Sequence, residues 1–271
     1  MLPDTAMHQA AGLHSYTPAR ALRLLPVLSP EEDGPWLEML WQLCSSLQRL
    51  GYPVAVLDGT ARESRQSPGL DQLLRPTAWA PAQALDAAAD RASLAVLPAA
   101  QGLARLSSLA SAPASPRGDA ALQRLEPLFR AYAVLVLYAP AQSLAPLLRG
   151  SACVPLVMTG PGAQGLVRSY LQLKHLALHA DVRCCTVASI TAPRTPAQAR
   201  QTAEALAALQ HSAQQLLGQQ LHTTAVAPAR AQDIQRLALQ LLENGCTIDP
   251  EMRMLPLHCP GATAEYTQRS H

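Results

Sequence analysis

Val27 to Gly59, VLSPEEDGPWLEMLWQLCSSLQRLGYPVAVLDG, decides the fold. It reads as strand, short connection, amphipathic helix, turn, strand, which is the opening βαβ unit of a parallel α/β protein. Trp36, Leu40, Leu43, Leu47 and Leu50 recur at spacings of four, three, four and three, so they share one helical face. Glu38, Gln42, Ser45, Gln48 and Arg49 fill the other side. Gly51 ends the helix, and Pro53 to Leu57 is a short apolar strand.

In such folds the connection after the first strand binds phosphate, through a Gly-rich loop whose N–H groups face the anion and a Lys that adds charge. Here the connection is Ser29-Pro30-Glu31-Glu32-Asp33-Gly34-Pro35. Two prolines remove two donors. Three carboxylates stand where an anion would sit, and no Lys is present. Ser29 with Glu32 has the spacing of a capping box, by which a helix start satisfies its own amides. The architecture suits a nucleotide and the side chains do not.

At 271 residues the chain suits one α/β domain with a large core. Aromatic residues make up 4%, so Leu, Ala and Val must build that core. A formal charge of +2, carried by scattered Arg, gives no footprint for nucleic acid. Lys174 is the sole lysine and lies far from the first loop. Six cysteines show no C-x-x-C spacing; Cys184 and Cys185 read as core thiols, and His258-Cys259 lacks companion ligands. No signal peptide is evident, and no apolar run reaches the roughly 18 residues of a membrane span. With free thiols these features predict a cytoplasmic protein.

Along the chain, Met7 to His14 has the spacing of a short helix, too short to be stable alone. It reads either as a frayed terminus or as a segment that folds on a partner. Strands are expected at 21–28, 53–57, 93–97, 132–137, 154–159, 182–190 and 221–226. Helices are expected at 82–91, 119–131, 164–179, 196–217 and 231–244, with short turns at 69–74 and 103–109. Arg62 to Pro68 reads as a polar loop and Ser111 to Gly118 as a second loop. Asp58-Gly59-Thr60 stands at the carboxyl end of the second strand, the edge where open sheets bind ligands. The sum is a mostly parallel sheet of about seven strands with helices on both faces.

Taken in order, these segments resemble the MinD/ParA-type deviant Walker ATPases, and within them proteins of the FlhG type, which regulate flagellar number. Besides the first βαβ, Leu94 to Gly102 (LAVLPAAQG) is similar to a strand ending in P-A-x-S-G. Tyr132 to Ala141 resembles a Walker B strand. Thr159-Gly160-Pro161 followed by Tyr170 and Lys174 resembles T-x-P with a-Y-x-x-x-K. FlhG-type proteins begin with a helix of pattern D-Q-A-x-x-L-R that activates FlhF, a GTPase of the signal-recognition-particle type. Here that helix would be His8-Gln9-Ala10-Ala11-Gly12-Leu13-His14: Gln9, Ala10 and Leu13 match, while His8 and His14 replace Asp and Arg. The resemblance gives Gln9 the task of orienting the partner's attacking water.

The same alignment removes the nucleotide chemistry. Glu31 and Trp36 stand where the family has lysines, Leu37 where it has the Mg²⁺-binding Thr, Tyr138 where it has the Walker B Asp, and Ala188 or Ser189 where an Asn holds adenine. The Asp pair after strand two is reduced to Asp58 with Thr60. Phosphoryl transfer depends mainly on the lost groups, so the expectation is a pseudo-ATPase with no catalytic residues, no metal and no cofactor. The chain divides into an N-terminal tail with an activator-like helix (1–20), a MinD-like α/β domain (21–245) and an irregular C-terminal tail (246–271). The expected partner is an FlhF-type GTPase, bound through His8, Gln9, Ala10, Leu13 and His14, with flagellar switch or regulatory proteins as further candidates. No nucleic acid and no direct membrane anchor are expected; recruitment to the cell pole would come through a partner. Without ATP the chain is either a monomer or a nucleotide-independent dimer. Two other readings stay open: a pseudo-ATPase accessory of another positioning or secretion system, and a divergent enzyme using Arg65 or Arg168 for phosphate or Cys153 or Cys184 for thiol chemistry.

Overall fold

The computed structural model describes residues 21–30, 35–75, 94–111, 118–191 and 195–248. Expectations for the N-terminal helix, Glu31 to Gly34, the helix at 82–91, most of the loop at 111–118 and the tail beyond 248 lie outside these residues. Strand β1 (Leu22–Leu28) leads into α1 (Trp36–Arg49) and β2 (Val54–Asp58). Then come α2 (Leu70–Leu73), β3 (Leu94–Pro98), α3 (Ala100–Ala110), α4 (Gly118–Gln123), α5 (Glu126–Phe129) and β4 (Val134–Ala139). The second half is α6 (Ala141–Leu148), β5 (Leu156–Thr159), α7 (Gly162–Ala180), β6 (Cys184–Ile190), α8 (Pro196–Leu217), β7 (Gln220–Val226), α9 (Ala231–Asn244) and β8 (Cys246–Ile248).

The sheet runs β3-β2-β4-β1-β5-β6-β7, all parallel, with β8 antiparallel on β1. Alternation along the strands feeds two cores. One face, with Val27, Val56 and Val136, is covered by α1 and α9 through Leu40, Leu43, Leu47, Leu237 and Leu241. The other, with Leu24, Leu57, Leu135 and Leu137, is covered by α3 to α8. The predicted α/β class is therefore observed. Among the described residues no helix is long and apolar enough to cross a membrane.

β1 is central yet contains Pro26, buried. The amides of Arg23 and Ser29 donate to Ala133 and Ala139, so odd-numbered amides of β1 face β4. The donor that Pro26 lacks falls on the opposite edge. There β8 pairs with Leu22 to Leu24 and β5 with Val27 and Leu28, leaving Pro26 at the changeover. A proline is tolerated in a central strand because no ladder bond is asked of it there.

Several expectations are corrected. Residues 141–148 form a helix that the sequence reading passed over, because Pro146 interrupts its pattern. The helix after β3 begins at Ala100 rather than Leu103. The single helix expected at 119–131 is two short ones, with Pro127 in the first turn of the second. The tail expected to be irregular from residue 246 begins with β8, whose Cys246 and Ile248 are buried against β1. Ser29 is not the cap of α1: Pro35 holds that position with no side-chain cap bond, while the Ser29 amide donates to Ala139.

Candidate functional site

β1 sends its helix to one face of the sheet, whereas β4 and β5 on either side of it send α6 and α7 to the other. The carboxyl ends of these strands therefore form a topological switch point, the crevice where open α/β sheets bind ligands. Two cavities open there. The first, about 300 Å³, lies between the ends of β1, β4 and β5 and helix α7, and includes Ser29, Thr159, Arg168, Gln172 and His175. Gln172 Nε2 donates to the Ser29 carbonyl at 3.2 Å and ties α7 across the gap. The second, about 810 Å³, lies beyond β5 and β6 and includes Ser189, Thr191, Gln198, Gln201 and Thr202.

Trp36 borders the first of them and not the second. Its side chain is 8% exposed and packs with Val27 and Met158. A Cβ placed on Gly160 would lie 3.3 Å from the edge of the indole, and Gly160 borders both cavities. The indole thus stands at the entry to α1, against the end of β5. The resemblance puts a lysine at that position. Leu37, at the place of the metal-binding Thr, is 52% exposed. Helix α1 offers neither a cation nor a hydroxyl here.

Tyr138, at the place of the Walker B Asp, is 4% exposed near the end of β4 and pairs in register with Asp58 of β2. Burial, and then the Asp58 carboxylate, pushes its phenol up to about 12. At neutral pH it is an uncharged group, unable to serve as an anionic metal ligand. Asp58 Oδ1 accepts from the Thr60 amide at 2.9 Å and the Thr60 hydroxyl at 2.6 Å, so Asp58 caps its own turn. Among the described residues lining the two cavities, Arg168 is the permanent cation and no carboxylate occurs. On α7, His175 stacks near His179 with ring centroids 4.4 Å apart, and burial, then that neighbour, lowers its pKa. Among the described residues no three His, Cys, Asp or Glu side chains gather as a metal site would require.

Sequence reasoning missed Glu63. It falls in the expected polar loop, yet it is 6% exposed. Its carboxylate accepts the amides of Gln101 at 2.7 Å and Gly102 at 2.8 Å, at the start of α3, and that of Asp71 at 3.3 Å in α2. A side-chain anion thereby occupies a helix N-terminus. The fit is close: a Cβ on Gly102 would meet Leu70 at 2.5 Å and one on Gly69 would meet Glu63 Cγ at 2.8 Å. The only signal in the sequence is a lone Glu between arginines, which does not announce burial.

Of the other candidates, Arg168 borders the first cavity and Arg65 is exposed, bordering neither. Cys153 is buried, and Cys185 is buried with its thiol pushed up in pKa by burial, while Cys184 is half-buried. Tyr170 packs on the core and Lys174 is exposed. Ala188 and Ser189 are buried in β6. Trp41 is 45% exposed on α1: it lies outside the four-three-four-three face. His8, Gln9, Ala10, Leu13 and His14 lie outside the described residues.

No family model and no curated protein matches the chain. Solved structures to which it is similar include the pNOB8 ParA, with TM-score 0.49 and 11% identity over 82% of this chain and 99% of that one. The MinD cell division protein of Aquifex aeolicus gives 0.45 and 12% over 81% and 96%. A Corynebacterium diphtheriae protein gives 0.36 and 13% over 82% and 89%.

Proposed function

We propose that this chain is a MinD/ParA-like pseudo-ATPase of the FlhG type, a regulator of flagellum number or placement that acts by binding proteins without nucleotide. Trp36 carries the reading. A large apolar ring, buried at the first turn of α1 and bordering the first cavity, stands at the switch point where a phosphate would need to sit. The neutral Tyr138, the exposed Leu37 and the self-capped Asp58 support it. Among the described residues that line the two cavities, Arg168 is the one permanent cation and no carboxylate occurs, and phosphoryl transfer depends mainly on such groups.

In this reading the partner is an FlhF-type GTPase, engaged by His8, Gln9, Ala10, Leu13 and His14. Topology favours a division of labour. The N-terminal segment joins the sheet at Leu22, the end of β1 remote from the crevice. Seven residues of strand, about 23 Å, separate the two. A partner docked beside Leu22 lies clear of the carboxyl edge. The protein would reach the cell pole through that partner. The test is the GTPase rate of an FlhF-type partner with the full chain, with Gln9→Ala, and with residues 21–271 alone. The expected result is stimulation by the full chain, lost on Gln9→Ala and on truncation. Equal stimulation by residues 21–271, or none by the full chain, would hand the fold to another positioning or secretion system.

A further inference from the structure

Helix α1 presents an outward row that the site does not use. Glu38, Trp41, Gln42, Ser45 and Arg49 share its solvent side, beside a hollow of about 350 Å³ closed by Pro228 to Ile234 at the start of α9. Trp41 is 45% exposed, Leu37 beside it 52%, and Leu239 on the adjoining α9 44%. Three large apolar side chains facing water on one two-helix layer are the composition of an interface core, where Trp is enriched.

The row has a property that selects its occupant. Glu38 and Arg49 stand eleven residues apart (49 − 38), about 16 Å along the helix. Gln42 and Ser45 straddle the same midpoint, between Leu43 and Cys44. A surface whose charges invert about its own centre is complementary to itself under a two-fold axis. We infer that a second copy of this chain covers this face, its α1 antiparallel to the first. Glu38 then faces Arg49 of the partner subunit, and Trp41 packs along the same seam. Gln42, whose Nε2 donates to Glu38 at 2.9 Å, faces Ser45 of the partner subunit at the centre. The face measures roughly 20 Å by 20 Å, two helices wide, which suits a weak dimer rather than an obligate one.

This association lies on the α1–α9 layer, not at the carboxyl edge of the sheet, and needs no nucleotide. It stands whether or not the proposed function does, because its test contains neither nucleotide nor GTPase. Sedimentation velocity of the full chain, free of nucleotide, across about 1–200 µM should show a concentration-dependent dimer. Trp41→Ala should weaken it at least tenfold. Glu38→Arg alone and Arg49→Glu alone each set like charges against each other and should weaken it similarly. The double swap Glu38→Arg with Arg49→Glu should restore it, as should mixing the two single variants, since each then meets its opposite. All three positions are exposed, and circular dichroism checks that each variant folds. A chain monomeric throughout, or a dimer indifferent to Trp41→Ala and to both single charge reversals, would overturn the inference.

Discussion

Glu63 shows how much one residue can fix. Its carboxylate holds three amides from two helices that reach it from 8 to 39 residues away. Charge-assisted bonds of this kind are worth more than neutral ones, and a buried amide left without its acceptor is costly. Glu63→Ala should therefore lower the unfolding free energy by about 2–4 kcal/mol, read as a lower urea midpoint at unchanged slope. An unchanged midpoint would mean that water replaces the carboxylate at no cost. Beside it, Asp71 is bonded by Arg75 at 2.6 Å and Arg105 at 3.3 Å. The Arg75 hydrogen bond, opposed by burial, holds the Asp71 carboxyl below its ordinary 3.8. A depressed folded-state pKa contributes stability above the ordinary value and loses it as pH falls through the folded one. The loss thus comes below about pH 4. Arg75 is 58% exposed, so the contribution is about 0.5 kcal/mol. Denaturant midpoints between pH 2.5 and 6 should fall less steeply on the acid side for Asp71→Asn than for the unaltered chain.

At the scale of elements, what the sequence tells depends on where each pairing partner lies. α1, α8 and α9 were legible because an amphipathic period and a terminal glycine are local, and α8 runs from Pro196 to Leu217 with Thr195 capping it and Gly218 left-handed after it. β4 was legible as a buried strand because it is apolar on both faces. α6 was not, since Pro146 reads as a breaker until Leu144, Leu147 and Leu148 are seen to find a core. β8 was not, since a three-residue strand has no period of its own and exists only because β1 has an edge vacated around Pro26. Within the candidate site, the residue types at Trp36, Leu37, Asp58 and Tyr138 could be read from the sequence, and so could the inward helical face that carries Trp36. The burial of Glu63 could not, because it is set by helices distant in sequence. Two consequences are measurable. Removing residues 246–271 should cost at least about 2 kcal/mol of stability, the worth of burying Ile248, whereas a dispensable tail would leave the melting transition in place. Gly102→Ala drives a methyl to 2.5 Å from Leu70 Cγ and should cost about 1–3 kcal/mol; a neutral result would show that α2 shifts freely.

For the whole molecule, the sheet keeps a crevice at its carboxyl edge, with Trp36 packed into the wall of the first cavity. Trp36→Ala should enlarge that cavity and lower stability by about 3–5 kcal/mol. It adds no cation and no metal ligand, so it should not create nucleotide affinity. The central claim is that the fold works without nucleotide, and calorimetry of the full chain with Mg-ATP and Mg-ADP tests it most directly. The account predicts no saturable heat at millimolar nucleotide. Saturable binding at micromolar concentration would contradict it: phosphate would then be held in spite of Trp36 and Tyr138, and Arg168 would be the first residue to replace.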